Sequence, residues 1–141
     1  TNLDVSNNFN LTKLGCSSNQ LSNLNLTNNP NLEELFCGSN LLSNLDISNN
    51  PMLINIFCNS NLLNTINFTY NINLSSIDLN SNYLTSLDLT NQSNLNFLTF
   101  NNNQISIINL SNIPNLQSLA CNNNQLTILR IVHKGSPFGK I

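Results

Sequence analysis

Few residues in this chain could do chemistry: one histidine, four cysteines, six acids and four bases among 141 residues. General acid–base work needs a histidine or carboxylate within hydrogen-bond reach of its partner. His133 lies in an irregular C-terminal stretch, and no serine–acid set can be assembled around it. The paired acids are limited to Glu33 and Glu34, and four scattered glycines make no phosphate-cradling loop. A calcium site would need converging carboxylates, yet Asp4, Asp46 and Asp88 are spread far apart. The cysteines, Cys16, Cys37, Cys58 and Cys121, match no zinc-ligand spacing such as C-x2-C. These absences point to a non-enzymatic chain with no metal and no cofactor.

The cysteine spacing has another meaning. Cys16, Cys37 and Cys58 are 21 residues apart, and so are Leu11, Leu32, Leu53, Leu74, Leu95 and Leu116. A fixed period of this size marks a solenoid, in which each unit buries its apolar face only against its neighbours. Residues 1–10 are a partial coil, full coils fill 11–115, and a final coil covers 116–131. Each coil has two halves, L-x-x-L-x-C-x-x-N-x-L and x-x-L-x-L-x-x-N, as in Leu11 to Leu21 and Leu24 to Asn29.

Period-two alternation, as in Leu14-Gly15-Cys16 and Leu24-Asn25-Leu26, predicts a short strand in each half. Stacked coils would then form two parallel ladders, joined by extended or 3-10 backbone. The fold class expected is an all-β-like parallel solenoid of 21-residue coils with little or no helix.

Equivalent positions form columns. Asn19, Asn40, Asn61, Asn82, Asn103 and Asn124 read as a buried amide ladder serving backbone groups at the bend. In the cysteine column Leu79 and Phe100 replace the thiol. That column therefore wants apolar bulk, and its side-by-side inward geometry opposes disulfides, so buried free thiols are expected. On the second strand Asp4, Asn25, Asp46, Asn67, Asp88 and Asn109 run beside a hydroxyl column, Ser6 to Ser111. This reads as a solvated face with side-chain ladders.

The consensus L-x-x-L-x-C-x-x-N-x-L resembles the leucine-rich repeat. With 21 residues and a cysteine at the third apolar place, it is similar to the repeats of bacterial surface proteins of the internalin J type. The resemblance covers 1–131 and implies a recognition or adhesion module, extracellular or on a bacterial cell surface. Residues 132–141 fall outside it; Gly135, Pro137 and Gly139 break regular structure there. That stretch reads as an irregular tail, either a C-terminal cap or an appended segment.

Composition agrees with a packed but uncharged solenoid. The chain is 40% hydrophobic and 7% charged, and asparagine makes up about a quarter of it. A net charge of −2 leaves no footprint for nucleic acid. No apolar run is long enough for a membrane span. No signal peptide opens the chain, and Thr1 reads as the start of a processed or trimmed product.

The residues flanking the inward Leu and Cys of the first strand must point outward. One such column is Lys13, Glu34, Asn55, Ser76, Phe97 and Ser118; the next is Gly15, Phe36, Phe57, Asp78, Thr99 and Ala120. The third is Ser17, Gly38, Asn59, Asn80, Asn101 and Asn122. Phe36, Phe57 and Phe97 stand out among small polar neighbours. Two readings stay open: aromatic stacking that stabilises the sheet, or an apolar anchor for a partner. Under the second, Asp78 and the Asn59-Asn80-Asn101 row form a polar rim around a protein or glycan. The alternative role is a structural spacer or accessory subunit of a larger cell-surface or outer-membrane assembly, because bare terminal coils expose ladder edges.

Overall fold

The computed structural model describes residues 2–131. The tail or cap expected at 132–141, and His133 with it, lies outside the described residues. Ten short strands and no helix are found among them: β1 (Asn2–Leu3), β2 (Lys13–Gly15), β3 (Asn23–Leu24), β4 (Glu34–Phe36), β5 (Asn55–Phe57), β6 (Ser76–Asp78), β7 (Phe97–Thr99), β8 (Ile107–Asn109), β9 (Ser118–Ala120) and β10 (Ile128–Arg130).

The first half-coils build one parallel six-stranded sheet in the order β2-β4-β5-β6-β7-β9. Its register follows the repeat: Leu14, Leu35, Ile56, Ile77, Leu98 and Leu119 are successive partners. All but Leu119 are buried, as are Leu32, Leu53, Leu74 and Leu95. The core is thus a stack of apolar columns running through every coil.

The second ladder differs from expectation. It forms only at the two ends, where β1 pairs β3 and β8 pairs β10. In the coils between no strand pairing is found on this side, while side-chain amides and turns bond the carbonyls in paired and unpaired coils alike. The Ile47 carbonyl accepts from Asn50 N at 3.1 Å within its own turn and from Asn71 Nδ2 at 3.0 Å. Leu26 is served in the same way by Asn29 N and Asn50 Nδ2. The Asp/Asn and hydroxyl columns are not ladders either. Each acid or amide oxygen accepts the N–H two residues on in its own coil, as Asp46 Oδ1 does from Ser48 N at 2.9 Å. Asn25, Asn67, Asp88 and Asn109 repeat this local turn.

The amide ladder of the first half is present and dense. Asn61 Nδ2 donates to the carbonyls of Cys37 and Cys58, both at 3.1 Å, and Asn61 Oδ1 accepts the Leu42 N–H at 3.0 Å. Asn40, Asn82 and Asn103 repeat the set. The residue before each ladder asparagine is left-handed. Ser18, Ser39, Ser60, Ser81, Asn102 and Asn123 all have φ between 54° and 58°. Asn enters this region readily, whereas Ser does so at a cost, and the sharp bend it makes points the next amide inward.

Candidate recognition surface

The strands hold the three outward columns as the register requires. Phe36 and Phe57 are partners on β4 and β5, and their rings stack with centroids 5.1 Å apart and planes 5° from parallel. Both are half-buried, so one ring face or edge remains open to a partner. Lys13 extends the stack. Its Nζ lies 5.1 Å from the Phe36 centroid and 2.7 Å from Glu34 Oε2. The cation therefore meets an aromatic face and a carboxylate together, a geometry that fixes a long side chain over the rings.

On the other side of the pair stands Asp78, the register partner of Phe57. It is half-buried, and desolvation pushes its carboxyl above the ordinary range, opposed by the hydrogen bond it accepts from Asn80 N at 3.0 Å. Thr99 follows and is buried. Its Oγ1 donates to Asn80 Oδ1 at 2.6 Å, and that oxygen also accepts Asn101 N at 2.7 Å. Asn101 Nδ2 returns a bond to Thr99 Oγ1 at 2.9 Å, and Asn101 Oδ1 accepts Asn122 N at 2.7 Å. Asn80, Asn101 and Asn122 are thus locked into an intramolecular chain. Asn59 differs: no described residue bonds its side-chain amide. It packs on Gly38, where any Cβ would run into its side-chain oxygen. A larger residue at 38 would require the Asn59 side chain to shift.

Phe97 does not join the aromatic pair. It lies in the other outward column, on β7, two strands from β5, and its register partners are Ser76 and Ser118. The structure therefore gathers Lys13, Glu34, Phe36, Phe57, Asn59 and Asp78 into one patch and leaves Phe97 apart, 37% exposed.

Beneath the sheet the cysteines are unpaired. Cys16, Cys37 and Cys58 are buried and Cys121 is half-buried. Burial, reinforced by the neighbouring Cys16, pushes the Cys37 thiol up to about 12, and burial also raises Cys58 well above the ordinary thiol range. Such thiols pack as small apolar groups and are poor nucleophiles. Among the described residues no cluster of three or more His, Cys, Asp or Glu could hold a metal ion, and no helix is long and apolar enough to cross a membrane.

Two features escaped the sequence reading. One is the left-handed column. The other is a second amide column, Asn29, Asn50, Asn71 and Gln92, all buried. Its signal was visible in the second-half motif, but Ile113 breaks it in the fifth coil.

No protein-family model matches this chain, and no curated protein does. Solved structures do. The chain is similar to the functional domain of InlJ from Listeria monocytogenes, which includes a cysteine ladder, at 27% identity and a TM-score of 0.56. That match covers 92% of this chain and 38% of the other. It is also similar to a leucine-rich-repeat protein of Leptospira interrogans, with 22% identity, a TM-score of 0.63 and coverage of 84% and 39%. The chain thus spans about two-fifths of the length of the solved structures it matches. With its 21-residue parallel coils and cysteine column, the fold is that of an internalin-like leucine-rich-repeat solenoid.

Proposed function

We propose that this leucine-rich-repeat solenoid is a non-enzymatic recognition module of a bacterial surface, binding a protein partner on its six-stranded face. Leucine-rich-repeat neighbours support an interaction module in general terms. The observation that carries the particular site is the stacked, half-open Phe36–Phe57 pair, flanked by Lys13 and Glu34 on one side and Asp78 on the other. Aromatic anchors within a polar rim are the usual composition of a binding hot spot. The free Asn59 amide supplies rim hydrogen bonds at no internal cost, and Asp78 offers a desolvated acceptor. Asn80 and Asn101, engaged with one another, hold the rim rigid, and Phe97 serves as a peripheral contact. An array of extracellular proteins and glycans probed with the wild type and with a Phe36→Ala/Phe57→Ala variant tests this. Hits should vanish in the double variant while its circular dichroism is unchanged. A partner bound by both with equal affinity places the site elsewhere.

One observation favours the accessory-subunit role as a second reading. Leu41, Leu62 and Tyr83 form an exposed apolar column over three consecutive coils, at 49, 41 and 53% exposure. A neighbouring subunit packed along the solenoid would cover it.

A further inference from the structure

The second halves of the third and fourth full coils line a groove of about 340 Å³. It lies where the second amide column changes residue. Asn71 spans two carbonyls, those of Ile47 at 3.0 Å and Asn50 at 2.9 Å. Gln92, one coil on, donates only to the Phe68 carbonyl at 2.9 Å and makes no bond to the carbonyl of Asn71. Gln92 is 1% exposed and lines the groove, and its Oε1, like the Oδ1 of Asn29, Asn50 and Asn71 in the preceding coils, takes no bond from a described residue. Two other lining groups are half used. Asp88 Oδ1 takes both the N–H and the hydroxyl of Thr90, at 3.0 and 2.6 Å, which leaves Oδ2 without a protein donor. Asn67 Oδ1 takes both bonds from Thr69, at 2.9 and 2.6 Å, which leaves its Nδ2 without an acceptor.

The lining excludes several ligand classes. It contains no Lys or Arg, so nothing there neutralises a phosphate or a carboxylate. It contains one carboxylate, too few for a divalent cation held by oxygen ligands. Only Ile66 and Phe68 among its residues are apolar, so a hydrophobic ligand gains little. What remains is a neutral ligand dense in hydroxyls, each able to donate to one group and accept from another. Asp88 Oδ2 and Gln92 Oε1 accept, Asn67 Nδ2 donates, and the volume lies at the low end of small-ligand sites. We propose that this groove binds a neutral sugar residue of a glycan, independently of the sheet face.

The test is a titration of the isotopically labelled chain with the methyl glycosides of glucose, galactose, mannose, N-acetylglucosamine and fucose. Amide shifts are followed by nuclear magnetic resonance. At least one sugar should shift the Gln92 side-chain amide and the Thr69 and Thr90 N–H signals saturably. Asp88→Asn should weaken that binding about tenfold, the size of one lost charge-assisted hydrogen bond. Gln92→Asn restores the residue that the repeat uses in the three preceding coils, so it keeps the fold, and it should abolish the shifts. The Phe36→Ala/Phe57→Ala variant should bind the sugar as the wild type does. No saturable shift with any of the five sugars overturns the proposal, as do shifts confined to the sheet face. Shifts produced by calcium chloride alone at these same amides also overturn it, because the groove would then be a cation site.

Discussion

Two buried asparagines of one coil pair should respond very differently to loss of their amides. Replacing Asn61 by Leu keeps the side-chain volume and removes every polar bond. The Leu42 N–H loses its partner, Asn61 Oδ1 at 3.0 Å, and is buried with no other acceptor. The carbonyls of Cys37 and Cys58 keep one bond each, from Asn40 Nδ2 and Asn82 Nδ2 at 3.0 and 3.1 Å. One orphaned buried donor costs about 1–3 kcal/mol, and the lost bonds add about 1 kcal/mol, for roughly 2–4 kcal/mol in all. Asn50→Leu is the control. Asn50 is also fully buried, but its Oδ1 has no partner. Its Nδ2 serves the carbonyls of Leu26 and Asn29, each of which keeps a backbone donor. The change therefore strands nothing and relieves an unpaired oxygen, so it should cost about 1 kcal/mol or less. The chain has already made a related exchange, since Ile113 is buried at the equivalent place in the fifth coil. Urea unfolding followed by circular dichroism, with equal slopes as the check on two-state behaviour, measures both. Equal losses would refute the view that the stranded Leu42 N–H sets the difference.

Unfolded thiols ionise near 9.0 and folded Cys37 near 12, and burial also raises Cys58 well above the ordinary range. The unfolded chain therefore binds fewer protons above pH 9, and stability should fall as pH rises from about 9 towards 12; a flat urea midpoint across that range contradicts the burial. A native thiol-labelling assay should leave Cys37 and Cys58 unmodified, whereas prompt labelling would mean that the core opens. Leu63→Ala, in mid-stack, should cost about 2–5 kcal/mol, and Leu126→Ala, partly buried in the final coil, clearly less; equal midpoint shifts would show that the final coil is as firmly closed as the middle. Ser60 has φ 54°, so Ser60→Val should cost about 1–2 kcal/mol more than Ser60→Gly by thermal melting, and indistinguishable melts would remove the strain argument.

The period of 21 was legible because each coil repeats the contacts of the last: once Leu14 pairs Leu35, Leu35 must pair Ile56. The same arithmetic put Phe36 beside Phe57 and named the buried amide ladder and the inward thiols. It also placed Phe97 in the neighbouring outward column, two coils beyond Phe57, which is where the register holds it. It could not foresee that the second ladder would stop at the ends. Alternation marks a residue as able to form a strand, but hydrogen bonding is a competition for each N–H and carbonyl. Which stretches pair is settled only in the stacked fold: the Val5 and Leu26 carbonyls carry the same turn and amide bonds as Ile47, yet only the end coils pair. The left-handed column was hidden for a related reason: Ser and Asn also suit ordinary turns, and only the closed coil forces a positive φ. The groove at Gln92 lies furthest from the sequence. One extra methylene changes which carbonyl an amide can reach, and that choice is made only when residues 21 and 24 positions away are stacked against it.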